Sequence, residues 1–158
     1  MKRSALALSL LLAAAPFGAQ AQVADVNVTI GGELLDKADE LGRRDLDRLA
    51  AELEADIERA VARSGAARPG RLELVLTDAR PSRPTFAQMS RKPGLSMQSV
   101  ANGGAAFEGF EIGENGERRP ISFSWYETDI RWAQARGTWS DAQRAFDIFA
   151  RQYAQGKR

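Results

Sequence analysis

Apolar and polar positions change period several times along this chain. Val26, Val28 and Ile30 alternate with Asn27 and Thr29, and Gly31-Gly32 closes the run, the pattern of a half-buried strand. Glu33 to Gly42 keeps no clear period and reads as a loop with room for one helical turn. From Asp45 onwards Leu46, Leu49, Ala50, Leu53, Ile57, Ala60 and Val61 fall on one stripe of an α-helix. Asp45 is placed to cap that helix and Gly65 to end it in a left-handed conformation. The charges on its other faces read as a solvated surface.

After Pro69-Gly70 the period returns to two. Leu72, Leu74 and Leu76 share one face and Val75 adds apolar bulk to the other, which predicts an interior strand. Strand, helix, strand produces a crossover unit if the two strands run parallel. Residues 78–104 read as a long loop, stiffened by Pro81, Pro84 and Pro93-Gly94, with Leu95 and Met97 available to pin it. Asn115-Gly116 signals a two-residue hairpin turn, and counting outwards pairs Phe110 with Ile121. A bulge at Gly109 would then bring Phe107 and Phe123 to one face, and Pro120 predicts a free edge. Residues 127–136 fit either a strand or a short helix. Ser140 with Gln143 reads as a capping box for a last helix, whose stripe is Ala142, Phe146, Phe149 and Tyr153. Residues 155–158 form a polar tail expected to fray.

These elements predict an α/β (α+β) fold. It is a two-layer sandwich, with a mixed sheet of four or five strands and two helices on one face.

The amino terminus changes the picture of where such a domain works. Lys2 and Arg3 precede an uncharged apolar run from Ala5 to Ala15, and Ala19-Gln20-Ala21 offers small residues for a signal peptidase. The run is too short to span a bilayer, so a cleaved secretory leader over residues 1–21 is expected, leaving one domain over 22–158. That places the protein in the periplasm or outside the cell, with no transmembrane segment in the mature chain.

The chain has 22 basic and 21 acidic residues, and loss of Lys2 and Arg3 tips the balance slightly acidic. No basic stripe remains to attract nucleic acid. The absence of cysteine rules out disulfide support and leaves no lipid-anchored amino terminus to expect. The absence of histidine removes histidine-based triads, zinc sites and proton shuttles. No cofactor or metal is expected. Lys92, near Ser90 and Ser96, is the sole Ser-Lys candidate and sits in a polar loop, where its amine would not be desolvated.

Four pieces occur in a familiar order: Leu76-Thr77-Asp78-Ala79-Arg80-Pro81, then Pro93-Gly94-Leu95-Ser96, then Gly103-Gly104-Ala105 leading to Asn115-Gly116. The last is Thr138-Trp139-Ser140-Asp141-Ala142 leading to Ala145-Phe146-Asp147 and Phe149-Ala150. Together, over residues 70–154, they resemble a family of uncharacterised bacterial envelope lipoproteins defined as a domain of unknown function. The resemblance implies an envelope location and the same fold class. That family carries a lipidated cysteine at its mature amino terminus, where this chain has Gln22, so membrane anchoring does not carry over.

Two clusters are candidates for function. Asp78, Arg80, Arg83 and Thr85 follow the central strand, where α/β sheets often place ligand groups, and two guanidinium groups can grip an anion. The plainer alternative is that Asp78 pairs with one arginine and holds the loop exit. Glu127, Asp129 and Arg131 lie beside Trp125 and Trp132, either as a surface for glycan or protein or as an ordinary strand end. The favoured reading is a non-enzymatic secreted envelope protein that binds another protein or a cell-wall component. The alternative is a carboxylate-dependent glycan hydrolase using Glu127 or Asp129 with Glu108 or Glu111.

Overall fold

The computed structural model describes residues 25–65, 70–131 and 137–157. The leader and Trp132 lie outside the described residues. Strand β1 (Asp25–Ile30) is followed by two single-turn helices, α1 (Gly32–Leu35) and α2 (Ala38–Leu41), where the sequence shows no clear period. Helix α3 (Arg43–Ser64) leads to β2 (Arg71–Arg80), α4 (Phe86–Arg91), β3 (Gly104–Ile112), β4 (Arg118–Tyr126) and α5 (Ser140–Ala154). The four strands form one sheet in the order β1-β2-β3-β4. β1 and β2 are parallel, joined through α3, while β2, β3 and β4 are antiparallel neighbours. The expected mixed sheet with two long helices on one face is the fold observed, and β2 is interior.

The apolar stripes explain the layering. Leu46, Leu49, Leu53 and Ile57 of α3 and Ala142, Ala145 and Phe146 of α5 are buried against Leu72, Leu74, Leu76 and Phe107. Small side chains on α5 let the two helices approach closely over the sheet. Phe107 stacks on Phe123 at 5.3 Å between centroids and meets Phe149 edge-on at 4.8 Å, in the offset geometry aromatic rings prefer.

Four local expectations are corrected. α3 begins at Arg43 behind Gly42, so Asp45 lies in its first turn beside Arg48 rather than at its cap. The hairpin closes through a five-residue loop, with the Gly113 N–H donating to the Glu117 carbonyl and the Glu117 N–H to the Asn115 side chain. Phe110 therefore pairs with Pro120, and Phe107 pairs directly with Phe123. No bulge is needed at Gly109; a Cβ there would stand 1.9 Å from the Glu73 carbonyl oxygen, so glycine allows close approach of β2. The bulge lies instead at Thr77, between Leu76 and Asp78. Finally, Ser140 makes no capping box: its Oγ accepts from the Gly137 N–H, and the Gln143 side chain reaches Glu52. Pro120 does sit on the edge strand, as its missing donor requires.

The Thr77 bulge shifts the alternation of the strand by one residue. Before it, Leu72, Leu74 and Leu76 face the helices; after it Ala79 is buried, and Asp78 and Arg80 turn to the helix-free face.

Candidate functional site

β2 runs on to Arg80, so Asp78 and Arg80 are strand residues rather than loop residues. Arg80 donates through Nε to Asp78 Oδ2 at 2.9 Å, and the Tyr126 hydroxyl donates to the same oxygen at 2.8 Å. Lys37, in the turn between α1 and α2, lies 3.6 Å from Asp78 Oδ1. The Arg80 guanidinium also covers the Tyr126 ring at 4.5 Å. Burial pushes the Asp78 carboxyl up, but the Tyr126 hydroxyl, Arg80 and Lys37 together hold it below the usual carboxylate range. Burial, with the neighbouring Asp78 carboxylate, raises Tyr126 to about 12. A phenol so hard to ionise is ill suited to proton transfer near neutrality.

Arg83 and Thr85 do not join this cluster. Arg83 donates to the Met97 carbonyl across the excursion. Thr85 is buried and opens α4: its Oγ1 accepts from the Gln88 N–H at 3.1 Å, and the Gln88 side chain accepts from the Thr85 N–H. The sequence carries this capping box as Thr85-Phe86-Ala87-Gln88. Both members also reach back to Glu40, docking α4 on α2.

The rest of the excursion hangs from a buried polar knot. Ser82 donates its N–H to Thr138 at 2.7 Å, accepts at its carbonyl from Ala101 at 3.0 Å, and accepts at Oγ from the Asp141 N–H at 3.2 Å. Asp141, fully buried, accepts from the Gly103 N–H at 3.0 Å. The start of α5 thus clamps both ends of segment 81–103 at one place. Each donor so satisfied avoids the cost of a buried unpaired group.

On that fixed segment Phe86 is 82% exposed and Met97 45% exposed. Beside Phe86 a cleft of about 310 Å³ is lined by Asp45, Arg48, Thr85, Trp139 and Gln143. Among the described residues, Trp139 Nε1 is a buried donor with no partner.

Asp129 is held by Arg131 through paired hydrogen bonds, which keep its carboxyl below the usual range, and Glu127 accepts from the Thr128 and Asp129 N–H groups. Trp125 is half-buried, with Arg144 over its ring at 5.3 Å, and Trp139 is only 3% exposed. The tryptophans therefore share no open platform among the described residues. Glu111 pairs with Arg119, at the opposite end of β4 from Glu127. The rise of about 3.3 Å per residue puts Glu111 and Glu127 roughly 25 Å apart, far beyond the reach of a glycosidase pair. Glu108 pairs with Ser122 on the other face of the sheet from Glu111. Lys92 is exposed, and Ser90 donates its hydroxyl to the Ala87 carbonyl instead. Among the described residues no group of three or more acidic side chains is placed to hold a metal, and no helix is long and apolar enough to cross a membrane.

Comparison with protein-family models, curated proteins and solved structures finds no match to this chain.

Proposed function

We propose that this chain is a non-enzymatic binding protein of the bacterial envelope that engages another protein through segment 81–103. The observation that carries the reading is Phe86. A capping box and the contacts to α2 fix α4, yet they hold its aromatic ring in water, 82% exposed. Leaving such a ring out of a core forgoes roughly 1.5–3 kcal/mol of burial. A fixed ring beside a cleft is the form of an anchor that a partner's pocket would cover. The envelope address rests on the leader pattern from Lys2 to Ala21 and on the resemblance over residues 70–154. The satisfied Asp78 cluster and the separation of Glu111 from Glu127 favour binding over hydrolysis.

The test places a photo-crosslinking amino acid at Phe86 in cells, with the exposed hairpin residue Glu114 as control. A protein captured from position 86 alone, and lost to competition by unlabelled parent but not by Phe86→Ala, supports the reading. Equal capture from both positions, or none, overturns it. Capture of cell-wall fragments in place of protein would reassign the surface to that component.

A further inference from the structure

Among the described residues the outer edge of β4 is free, and with the cleft beside it this edge is a second surface that does not depend on Phe86. The Glu127 N–H donates to the Gly103 carbonyl, and Gly113 donates to Glu117. Odd-numbered residues along β4 therefore turn their backbone groups to β3, and Pro120, Ser122 and Ser124 turn theirs outward. Pro120 sits at a position with no donor to lose, and Ser122 and Ser124 are exposed on the outermost strand. A row of free N–H and C=O groups at strand spacing is matched by one chemical partner, an extended polypeptide.

Between β4 and the last turns of α5 lies a cleft of about 210 Å³, with Ile121, Phe123, Phe149 and Tyr153 as its apolar walls. An apolar cavity of about 150 Å³ already admits a benzene ring, so this one suits a single apolar side chain. Charges at its mouth are unevenly used. Glu111 accepts from the Tyr153 hydroxyl at 3.1 Å, and Arg119 is held by Glu117 at 3.1 Å. Lys157 lines the same cleft and has no acidic partner among the described residues.

We propose that β4 accepts an extended segment of a partner protein as an antiparallel fifth strand, in which residues directly opposite one another exchange their backbone bonds. One aromatic or branched apolar side chain of that segment fills the cleft, and an acidic side chain on the same side meets Lys157. Backbone pairing supplies the hold and the cleft supplies the selection, the division of labour seen in strand addition. A second copy of this chain fits poorly. Its own Ile121, Phe123 and Trp125 already pack against its core, so two paired β4 strands would leave both clefts unfilled.

The test uses the capped peptide acetyl-Thr-Phe-Thr-Glu-Thr-amide, titrated into isotope-labelled protein and followed by NMR. The amides of Ser122 and Ser124 should move downfield and gain exchange protection, and the Phe149 and Tyr153 rings should shift. Side chains directly opposite each other in a pair of strands share a face. The threonines therefore oppose Ser122 and Ser124, and the phenylalanine lies on the cleft side. N-methylation of the central threonine amide should weaken binding by about tenfold or more, while N-methylation of the phenylalanine amide, which points away from β4, should not. Ser122→Pro should melt as the parent does and lose the peptide, and Phe86→Ala should bind it normally. Equal effects of both N-methylations, ring shifts without the Ser122 and Ser124 response, or no binding at millimolar peptide would each overturn the proposal. So would self-association that Ser122→Pro abolishes, because the occupant would then be a second copy.

Discussion

The Tyr126 hydroxyl donates to Asp78 at 2.8 Å although the two residues sit on strands that do not touch. β3 runs between them, and the register aligns Arg80, Gly104 and Tyr126 across the sheet. Gly104 is what lets the ring cross: a Cβ there would stand 2.6 Å from the Tyr126 ring and 2.3 Å from the Trp125 carbonyl oxygen. β2 and β4 are thus tied directly over the top of their common neighbour.

Tyr126→Phe removes that tie and should cost about 1 kcal/mol, below the value for a fully buried charged hydrogen bond because the site is partly open. The pH dependence has a definite sign. The folded Asp78 pKa is lowered, so its contribution is present above the unfolded carboxylate value near ~4 and is lost as pH falls through the folded value. The folded Tyr126 pKa is raised to about 12, so its contribution is present below the unfolded value near ~10 and is lost as pH rises through about 12. Melting curves of parent and variant should differ most between about pH 4 and 10 and converge at both extremes.

Gly104→Ala and Gly109→Ala should each destabilise by about 2 kcal/mol or more, because the added methyl meets backbone rather than a movable side-chain tip. Gly116→Ala meets nothing within 4 Å and should cost only the strain of its positive φ, about 1 kcal/mol. Urea denaturation of the three variants would rank them, and equal losses would show that close packing is not the cause.

Asp141→Ala should be severe, about 2–3 kcal/mol, since it strands the Gly103 N–H in a buried site. Hydrogen exchange should show faster opening at Gly103 and across 81–103 before the sheet is affected. Uniform loss of protection would mean that the knot belongs to the global core.

Thr85→Ala should cost about 1 kcal/mol through loss of the α4 cap. Exchange at Met89 and Lys92, whose N–H groups bond back to Thr85 and Gln88, should accelerate. If Phe86 is the anchor, crosslinking at position 86 should weaken in this variant even though the ring is untouched.

How far the sequence can be read depends on the range of each interaction. The α3 stripe is legible because its period repeats over Leu46 to Val61, and all of those residues are buried. The aromatic pair of β3 and β4 lies on one face as expected, but Asn115-Gly116 suggests a tighter turn than the five-residue loop that forms. The Thr77 bulge has no local marker, since Leu76-Thr77-Asp78 contains neither glycine nor proline. Thr85 stands out in the sequence as a candidate ligand group yet serves as a helix cap, because the capping signal of Gln88 lies inside a stretch that reads as a loop. Contacts such as Tyr126 with Asp78 depend on strand order and register, which no local pattern encodes.

The clamp at Ser82 also has an evolutionary consequence. The excursion leaves the body at Ser82 and returns at Ala101, whose N–H closes on the Ser82 carbonyl at 3.0 Å. Its closure is therefore complete at the neck, whatever lies beyond. Doubling a flexible loop costs only about 0.6 kcal/mol of closure entropy. Insertions and deletions between residues 93 and 100, beyond the docked α4, should be admissible while Ser82, Thr85, Gly103 and Asp141 stay fixed, so that related chains could exchange this outer stretch as a cassette and diverge in their binding partners on an unchanged frame.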